Sequence, residues 1–411
     1  MSNPYLPRET LDYIVDLLHD QPETLKECCL VSKPWIPRTR KHLFATIEFI
    51  SIKDLESWKK TFPDPPNSPG CHTRTLFFRC ARVVTAAGTG AGGLIQTFSQ
   101  VVRLELSASD AKPLVMFGTL EKTSLAPFHN FSPTLKSLRV DSVVLQCPQV
   151  FDLVCSFPLL EDLTLLGDDQ PLDDDNDSHG PRTVVPSTSP PLTGSLELTM
   201  LLGMGNVTRR LLDLPNGLHF RELVFWWFYE MDLSSMMELV ARCSDTLECL
   251  DVRCYPPGTF APVLLRGCNP PSFVGDRNPA SIDLSKATKL KDVVFRPGSL
   301  TVKWVIMALQ TIASKCQDPP QVSLHVPYSS TLVGASPNVR QSVGERDFGQ
   351  WLELDRLLVQ LWESHSVCPK IICTTPKGGK EKEDVRGYIE RLLPEITKEV
   401  IIDLVEHNGA Q

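Results

Sequence analysis

Gly88-Thr89-Gly90-Ala91-Gly92-Gly93 is the stretch of this chain whose residue types and spacing come closest to a chemistry. It spells G-x-G-x-x-G after the strand-like Arg82-Val83-Val84, with Asp110 following at about the distance where a ribose-binding acid stands. In such a site the glycines let a pyrophosphate approach the first turn of a helix. That helix must also cross back to a parallel neighbour, and the next strand-like segment, 101–106, begins eight residues after Gly93, too soon for a crossover. A Gly/Ala loop at the edge of a repeat array is the expectation, with dinucleotide binding a remote alternative.

Other fragments of chemistry lack their companions. Asp347-Phe348-Gly349 has no glycine-rich ATP loop or His-Arg-Asp sequence beside it, and is expected to cap the helix bearing Trp351, Leu354, Leu358 and Leu361. Asp173, Asp175 and Asp177 begin like a calcium loop. Ser178 then stands where that loop needs Gly, and Val184 where it needs a bidentate Glu. Cys71-His72 with Cys80, and Cys243, Cys249 with Cys254, lack the paired close spacing of zinc sites. No G-x-S-x-G elbow occurs, and none of the nine histidines sits in a base-bearing motif. The chain is therefore read as no enzyme, with no catalytic residue, no cofactor and no metal.

Composition narrows the class further. The chain has 411 residues, 42% hydrophobic and 22% charged, the balance of a water-soluble globular protein with ample material for a core. A net charge of −8 argues against nucleic-acid binding, which needs clustered Lys and Arg. The thirteen cysteines include no C-x-x-C pair, and Cys155, Cys249, Cys254 and Cys373 sit in apolar runs, as buried thiols of a reducing compartment would. The longest apolar run, Leu223 to Tyr229, is far too short to span a membrane. No membrane partner is expected, and the location expected is cytoplasmic and/or nuclear.

The elements that position everything else repeat. Apolar-x-x-apolar-x-apolar recurs as Val101/Leu104/Leu106, Leu135/Leu138/Val140, Leu160/Leu163/Leu165, Phe220/Leu223/Phe225, Leu247/Leu250/Val252 and Leu290/Val293/Phe295. Leu196-x-Leu198 and Leu324-x-Val326 are partial copies. Alternation puts the last two positions on one strand face, while the residue three earlier packs the turn into the strand. Helical stretches precede several copies: Val150, Phe151 and Val154; Met236, Met237 and Val240; Val305, Ile306 and Leu309. One strand and one helix cannot close a core, so neighbouring units must stack. Interruptions fall where composition places them: Pro63 to Pro69, the acidic and Pro-rich 168–191, 256–279, 329–345 and the charged turn 377–384.

Residues 1–44 are a separate problem. Leu11, Ile14, Val15 and Leu18 recur at i, i+3, i+4 and i+7, a second helix is expected to start at Thr24 and end near Ser32 before Pro34, and Trp35, Thr39 and Leu43 continue at helical spacing. A unit near 40 residues seldom buries so much hydrocarbon alone, so it must dock on something. Basic Lys33, Arg38, Arg40 and Lys41 read as a solvated helix face.

The segment resembles an F-box. Leu6-Pro7-x-Glu9 matches the family's opening, Ile14 and Leu17-Leu18 its first helix, and Leu25-Lys26-x-Cys28-x-Leu30-Val31-Ser32-Lys33-x-Trp35 its second half. Pro37-Arg38-x-Arg40-x-His42-Leu43-Phe44 looks like the fungal, basidiomycete-like version. The later repeats resemble an irregular leucine-rich-repeat domain, common in fungal F-box proteins. The position where that family prefers Asn or Cys holds Ser109, Val143, Asp168, Phe228 and Tyr255, so no asparagine ladder can form and even curvature is not expected.

Taken together, the expectation is an α/β protein: a small three-helix F-box headpiece (1–50), a Pro-rich connector (51–69), and an irregular leucine-rich-repeat-like α/β solenoid (70–411). The resemblance implies the substrate-recognition subunit of a Skp-cullin-F-box type ubiquitin ligase. Leu6, Pro7, Ile14, Leu18, Leu25, Val31 and Trp35 would dock on the Skp-family adaptor and, through it, on a cullin-RING ligase. Some of these must also pack internally. Trp226, Trp227 and Tyr229 are the candidates for contacting a target protein, against the alternative that their strand is simply buried on both faces. A non-catalytic repeat scaffold whose F-box-like cap works outside a ligase is the other reading.

Overall fold

The computed structural model describes residues 7–89, 92–107, 125–131, 133–144, 148–168, 191–200, 205–214, 217–227, 233–254, 283–296, 302–326, 337–375 and 381–406. The segments 169–190 and 255–282, Tyr229 and Leu6 lie outside them. The chain is α/β, its described strands run parallel, and it divides into two compact units, Met1–Pro190 and Pro191–Gln411.

The first unit opens with three helices, α1 (Arg8–Leu17), α2 (Pro22–Val31) and α3 (Ile36–Leu43), the last preceded by a 3₁₀ turn over Lys33–Trp35. Thr24 is not the cap of α2. Gln21 holds that position and Pro22 starts the helix, since the missing proline N–H is one that a first turn leaves unpaired anyway. β1 (Thr46–Phe49), α4 (Ile52–Thr61), β2 (Thr75–Phe78), α5 (Ala81–Thr89), α6 (Gly92–Gln96), β3 (Arg103–Ser107), β4 (Ser137–Val144), α7 (Pro148–Cys155) and β5 (Asp162–Asp168) follow.

The expected boundaries need correcting here. β1 pairs with β2, so the strand array begins at Thr46, inside the segment assigned to the headpiece. The supposed connector is largely the helix α4. Ser51 accepts the Asp54 N–H, and the Asp54 carboxylate takes the Ser51 N–H at 2.8 Å, a capping box that fixes its first turn. Only Pro65–Asn67 and Pro69–His72 are 3₁₀ turns of the Pro-rich type expected.

In the second unit β6 (Leu192–Met200), α8 (Gly205–Leu212), β7 (Leu218–Trp227), α9 (Leu233–Arg242), β8 (Cys249–Cys254), β9 (Asp292–Arg296), α10 (Val302–Lys315), β10 (Gln321–Val326), α11 (Pro337–His365), β11 (Lys370–Thr375), α12 (Glu381–Leu392) and β12 (Ile402–Glu406) alternate in the same manner. Within each unit the strands stand side by side in chain order.

Register explains the core. Ile47, Leu76, Leu104, Leu138 and Leu163 form one ladder across β1 to β5, and Phe49, Phe78, Leu106, Val140 and Leu165 form the next. All ten are buried. In the second unit Leu196, Leu223, Leu250, Val293 and Val322 align, as do Leu198, Phe225, Val252, Phe295, Leu324, Ile371 and Ile402. The partial copy at Leu324 is thus out of register with the others by two residues, because Val322 takes the position of Val293. Each fully buried Leu, Val or Phe contributes roughly 1.5–3 kcal/mol of transfer free energy, which makes the ladders the main stabilising feature. The residues three before each marker are buried too, Val101, Leu135 and Leu247 fully so.

A recurring backbone bond joins the repeats. The Ala45 carbonyl accepts from the N–H groups of Arg74 and Thr75, that of Arg74 from Val102 and Arg103, that of Val102 from Lys136 and Ser137, and that of Lys136 from Glu161 and Asp162. The carbonyl of Glu248 repeats the arrangement with Lys291 and Asp292. Helices cover the ladders with the apolar residues expected of them: Val150 and Val154 on α7, Met236 and Val240 on α9, and Val305 and Leu309 on α10 are buried.

α11 brings a buried acid into the fold. Asp355, 1% exposed, accepts the N–H groups of Glu395 and Ile396 at 2.9 Å each, pinning the turn that leads into β12. Removing that acceptor leaves two N–H groups short of a partner in a buried place. Asp355→Ala is expected to cost about 2–4 kcal/mol in urea unfolding, and Asp355→Asn, which keeps one carbonyl oxygen, about half as much.

Candidate docking face and outward strand surface

The three N-terminal helices close a small core around Val15, Leu25, Cys28 and Thr39, all buried. The Thr39 hydroxyl donates to the Trp35 carbonyl at 2.8 Å and lies 2.9 Å from Cys29 Sγ, which fixes the 3₁₀ turn against α2. Asp16 ties α1 to α3. Its carboxylate accepts from Arg38 Nε at 2.6 Å and from a second guanidinium nitrogen, and lies 2.7 Å from His42 Nε2.

The Arg38 hydrogen bonds, with His42 assisting, hold the Asp16 carboxyl well below the usual carboxylate range. A lowered folded value means the interaction stabilises at neutral pH and fades as pH falls through the ordinary carboxylate range. Asp16→Asn should therefore lower the melting temperature at pH 7, and its difference from the wild type should shrink progressively below about pH 4.

Several large apolar side chains remain outside that core. Tyr13 and Leu17 are 64% and 60% exposed and stand one turn apart on α1, while Leu30 and Val31 at the end of α2 are 88% and 70% exposed. α1 is thus apolar on two faces: Leu11, Ile14, Val15 and Leu18 turn at least partly inward, and Tyr13 and Leu17 face water. A helix dressed this way has a second surface to bury.

Of the residues assigned to adaptor docking, Val31 is exposed, Pro7 is the exposed residue preceding α1, and Ile14, Leu18 and Trp35 are half-buried. Leu6 lies outside the described residues. Leu25, 1% exposed, belongs to the helical core and is one of those, among the seven, that pack internally. Tyr13, Leu17 and Leu30 are the additions. Their signal was present as an i, i+4 apolar pair off the inner stripe and as the adjacent Leu30-Val31, of which helical spacing can bury only one well.

On the strands the residues between the ladder positions face away from the helices. In the first unit they form a balanced ion network. Arg79 binds Glu48 and Glu105 and lies 4.3 Å above the Phe77 ring, while Arg139 and Arg103 approach Glu105 at 3.8 and 4.0 Å, and Arg139 approaches Asp141 at 3.7 Å.

The corresponding surface of the second unit holds Trp226. Its indole N–H donates to Glu197 at 2.7 Å, and Arg253 lies over the ring at 4.4 Å. Asp251, 5% exposed, accepts Arg253 at 2.7 and 2.9 Å and Arg296 at 3.3 Å, and Arg296 reaches His325 Nδ1 at 3.3 Å. Burial, with Arg296 nearby, pushes the His325 imidazole down to about 4. Of the three aromatics proposed for target contact, Trp226 is half-buried on this surface, Trp227 ends β7 with its side chain outside the described part, and Tyr229 lies outside it altogether. Phe220, Leu223 and Phe225 of the same strand are buried, and so is the outward Val224.

The chemistry-like fragments are placed differently from a nucleotide site. Arg82-Val83-Val84 is helical, not a strand, because Val83 and Val84 are core residues of α5, and Gly88 and Thr89 end that helix. The glycines therefore follow a helix where a dinucleotide fingerprint needs a strand. Asp347-Phe348-Gly349 lies within α11, ten residues past its start, and caps nothing. Trp351, Leu354, Leu358 and Leu361 beyond it are buried as expected. Burial raises the thiols of Cys155, Cys243, Cys249 and Cys373 to about 11. Among the described residues no group of three or more His, Cys, Asp or Glu is arranged to hold a metal ion, and no helix is long and apolar enough to cross a membrane. The calcium-like Asp173, Asp175 and Asp177 lie outside the described residues. No family model matches the chain, and no curated protein matches it.

Proposed function

We propose that this chain is the substrate-recognition subunit of a Skp-cullin-F-box type ubiquitin ligase, an F-box headpiece carried on an irregular leucine-rich-repeat-like solenoid. The observation that carries the reading is the apolar surface left by a helical unit whose own core is already closed: Tyr13, Leu17, Leu30 and Val31, with half-buried Trp35 nearby in sequence. Aromatic and aliphatic anchors of this kind dominate binding energy at protein interfaces.

The repeat architecture supports the second half of the proposal. Parallel strands in chain order, each sharing its ladders with its neighbours, give every repeat a core only through the repeats beside it. Within each unit such an array offers a strand surface for a target. The chain's own part in ubiquitin transfer is then proximity: holding a target near the charged carrier raises effective concentration without a catalytic residue of its own.

Reconstitution tests it. Coexpressed with a Skp-family adaptor and the adaptor-binding half of a cullin, the intact chain should co-elute with both as one stoichiometric complex. Separate elution of a folded chain would refuse the reading.

A further inference from the structure

The second unit ends on an edge that the described part of the fold leaves open. β12 pairs with β11 and, among the described residues, with no other strand. From β1 to β11 every ladder residue is at most 8% exposed. In β12 the inward Ile402 and Leu404, partners of the fully buried Ile371 and Cys373, are only half-buried. On the other face Val405 is 50% exposed, and Ile401, immediately before the strand, is 83% exposed. Apolar on both faces and unpaired along one side, this strand has surface left to bury.

Edge strands commonly block pairing with proline, lysine, bulges or inward-pointing charge. Ile401 to Val405 holds no proline and no lysine, and no bulge interrupts the register of β12 with β11. Its charge is one-sided. From Glu395 to Glu406 the chain has four acids and one base, Lys398, which is bonded to Glu395 at 2.8 Å. Asp403 is exposed, stands opposite the apolar Ile372, and makes no ion pair among the described residues. Lys370 begins β11 two residues before that partner, and the turn 377–384 carries three residues of each sign. Charge then decides what fits the edge. A second copy related by a two-fold axis matches apolar to apolar only with Ile401 against Val405 and Ile402 against Leu404, which sets Asp403 against Asp403. Like charges directly opposite on paired strands destabilise, whereas opposite charges there stabilise.

We propose that the free edge of β12 takes up an extended segment of another protein as a further strand, one whose apolar residues flank a central Lys or Arg that pairs with Asp403. Main-chain hydrogen bonds along such an edge supply affinity whatever the sequence, and side chains on alternate faces supply selection. Apolar residues of the incoming strand cover Ile402 and Leu404 on one face and Ile401 and Val405 on the other, while its cation answers Asp403. The inference goes beyond the ligase reading and rests on the sheet alone.

The test needs no adaptor, so its failure is separable from failure of the ligase reading. The fluorescein-labelled peptide Lys-Val-Val-Lys-Val-Val-Lys, which presents the same pattern in either strand direction, is titrated with the intact chain and followed by anisotropy. Two controls replace the central Lys by Glu, or the two valines beside it by proline. Saturable binding of the first peptide is expected, at least tenfold weaker with central Glu and lost with proline, which cannot donate along the edge. Asp403→Lys should reverse the preference, so that the central-Glu peptide binds at least tenfold better than the central-Lys one. If that variant does not fold, Asp403→Asn serves, bringing the two peptides to within threefold of each other. No binding of the central-Lys peptide, equal binding of the proline peptide, or a preference that neither variant changes would each overturn the assignment. So would a wild-type dimer in sedimentation that Asp403→Asn tightens, since the edge would then belong to a second copy.

Discussion

Leu30→Lys/Val31→Lys should abolish adaptor binding, by a hundredfold or more, while leaving the melting temperature essentially where it was. Both residues are mostly in water, at 88% and 70% exposed, so their replacement removes little native packing. Surface changes of that kind stay within about 0.5 kcal/mol. Lysine suits the place in the folded chain, because positive charge at the end of α2 meets the negative end of the helix dipole. At an interface the same change buries two cations against hydrocarbon. With anchors worth roughly 2 kcal/mol each and about 1.4 kcal/mol per tenfold in affinity, the pair accounts for more than two decades. Calorimetry of variant and wild type against the adaptor, with thermal melts alongside, reads both halves. Undiminished binding would show that this face is not the docking face.

Phe78→Ala should cost about 3–5 kcal/mol, whereas Phe77→Ala next to it should cost no more than about 1. Phe78 is 0% exposed and its ring centroid lies 5.5 Å from that of Phe49 and 5.4 Å from that of Phe128. Deleting it opens a cavity that the ladder of β1 to β5 cannot close, since its neighbours are strands fixed by register on both sides. Phe77 points the other way, half-buried beneath the Arg79 guanidinium. Because strand side chains alternate, a slip of one residue would exchange the two costs. Urea unfolding of both variants thus measures the register of β2 directly.

The ladders were readable in advance wherever an apolar residue stood three before the strand, as at Leu135 or Leu247. β2 departs from the pattern because Thr73 stands where the leading apolar residue belongs, whereas β1 carries the whole pattern, Phe44-x-x-Ile47-x-Phe49, but its leading Phe44 is also the last residue of the stretch that resembles an F-box. In β12 Glu399 stands in that place and in β11 only Cys368 does, while Leu324 lies two residues past the aligned position because Val322 pairs with Val293. The docking face was half legible. Helical periodicity marks which side of α1 packs inward, yet it does not say that Leu25 finds enough neighbours inside while Leu30 finds none. The Arg253, Asp251 and Arg296 cluster could not be read at all, since Asp251 and Arg296 are 45 residues apart and meet only through strand pairing.

Isothermal titration of the intact, folded chain with a purified Skp-family adaptor tests the central claim most directly. Saturable one-to-one binding, with the negative heat-capacity change that burial of Tyr13, Leu17, Leu30 and Val31 requires, is the predicted result. No measurable heat at any temperature, from a chain shown by its melt to be folded and with no complex on gel filtration, would contradict it.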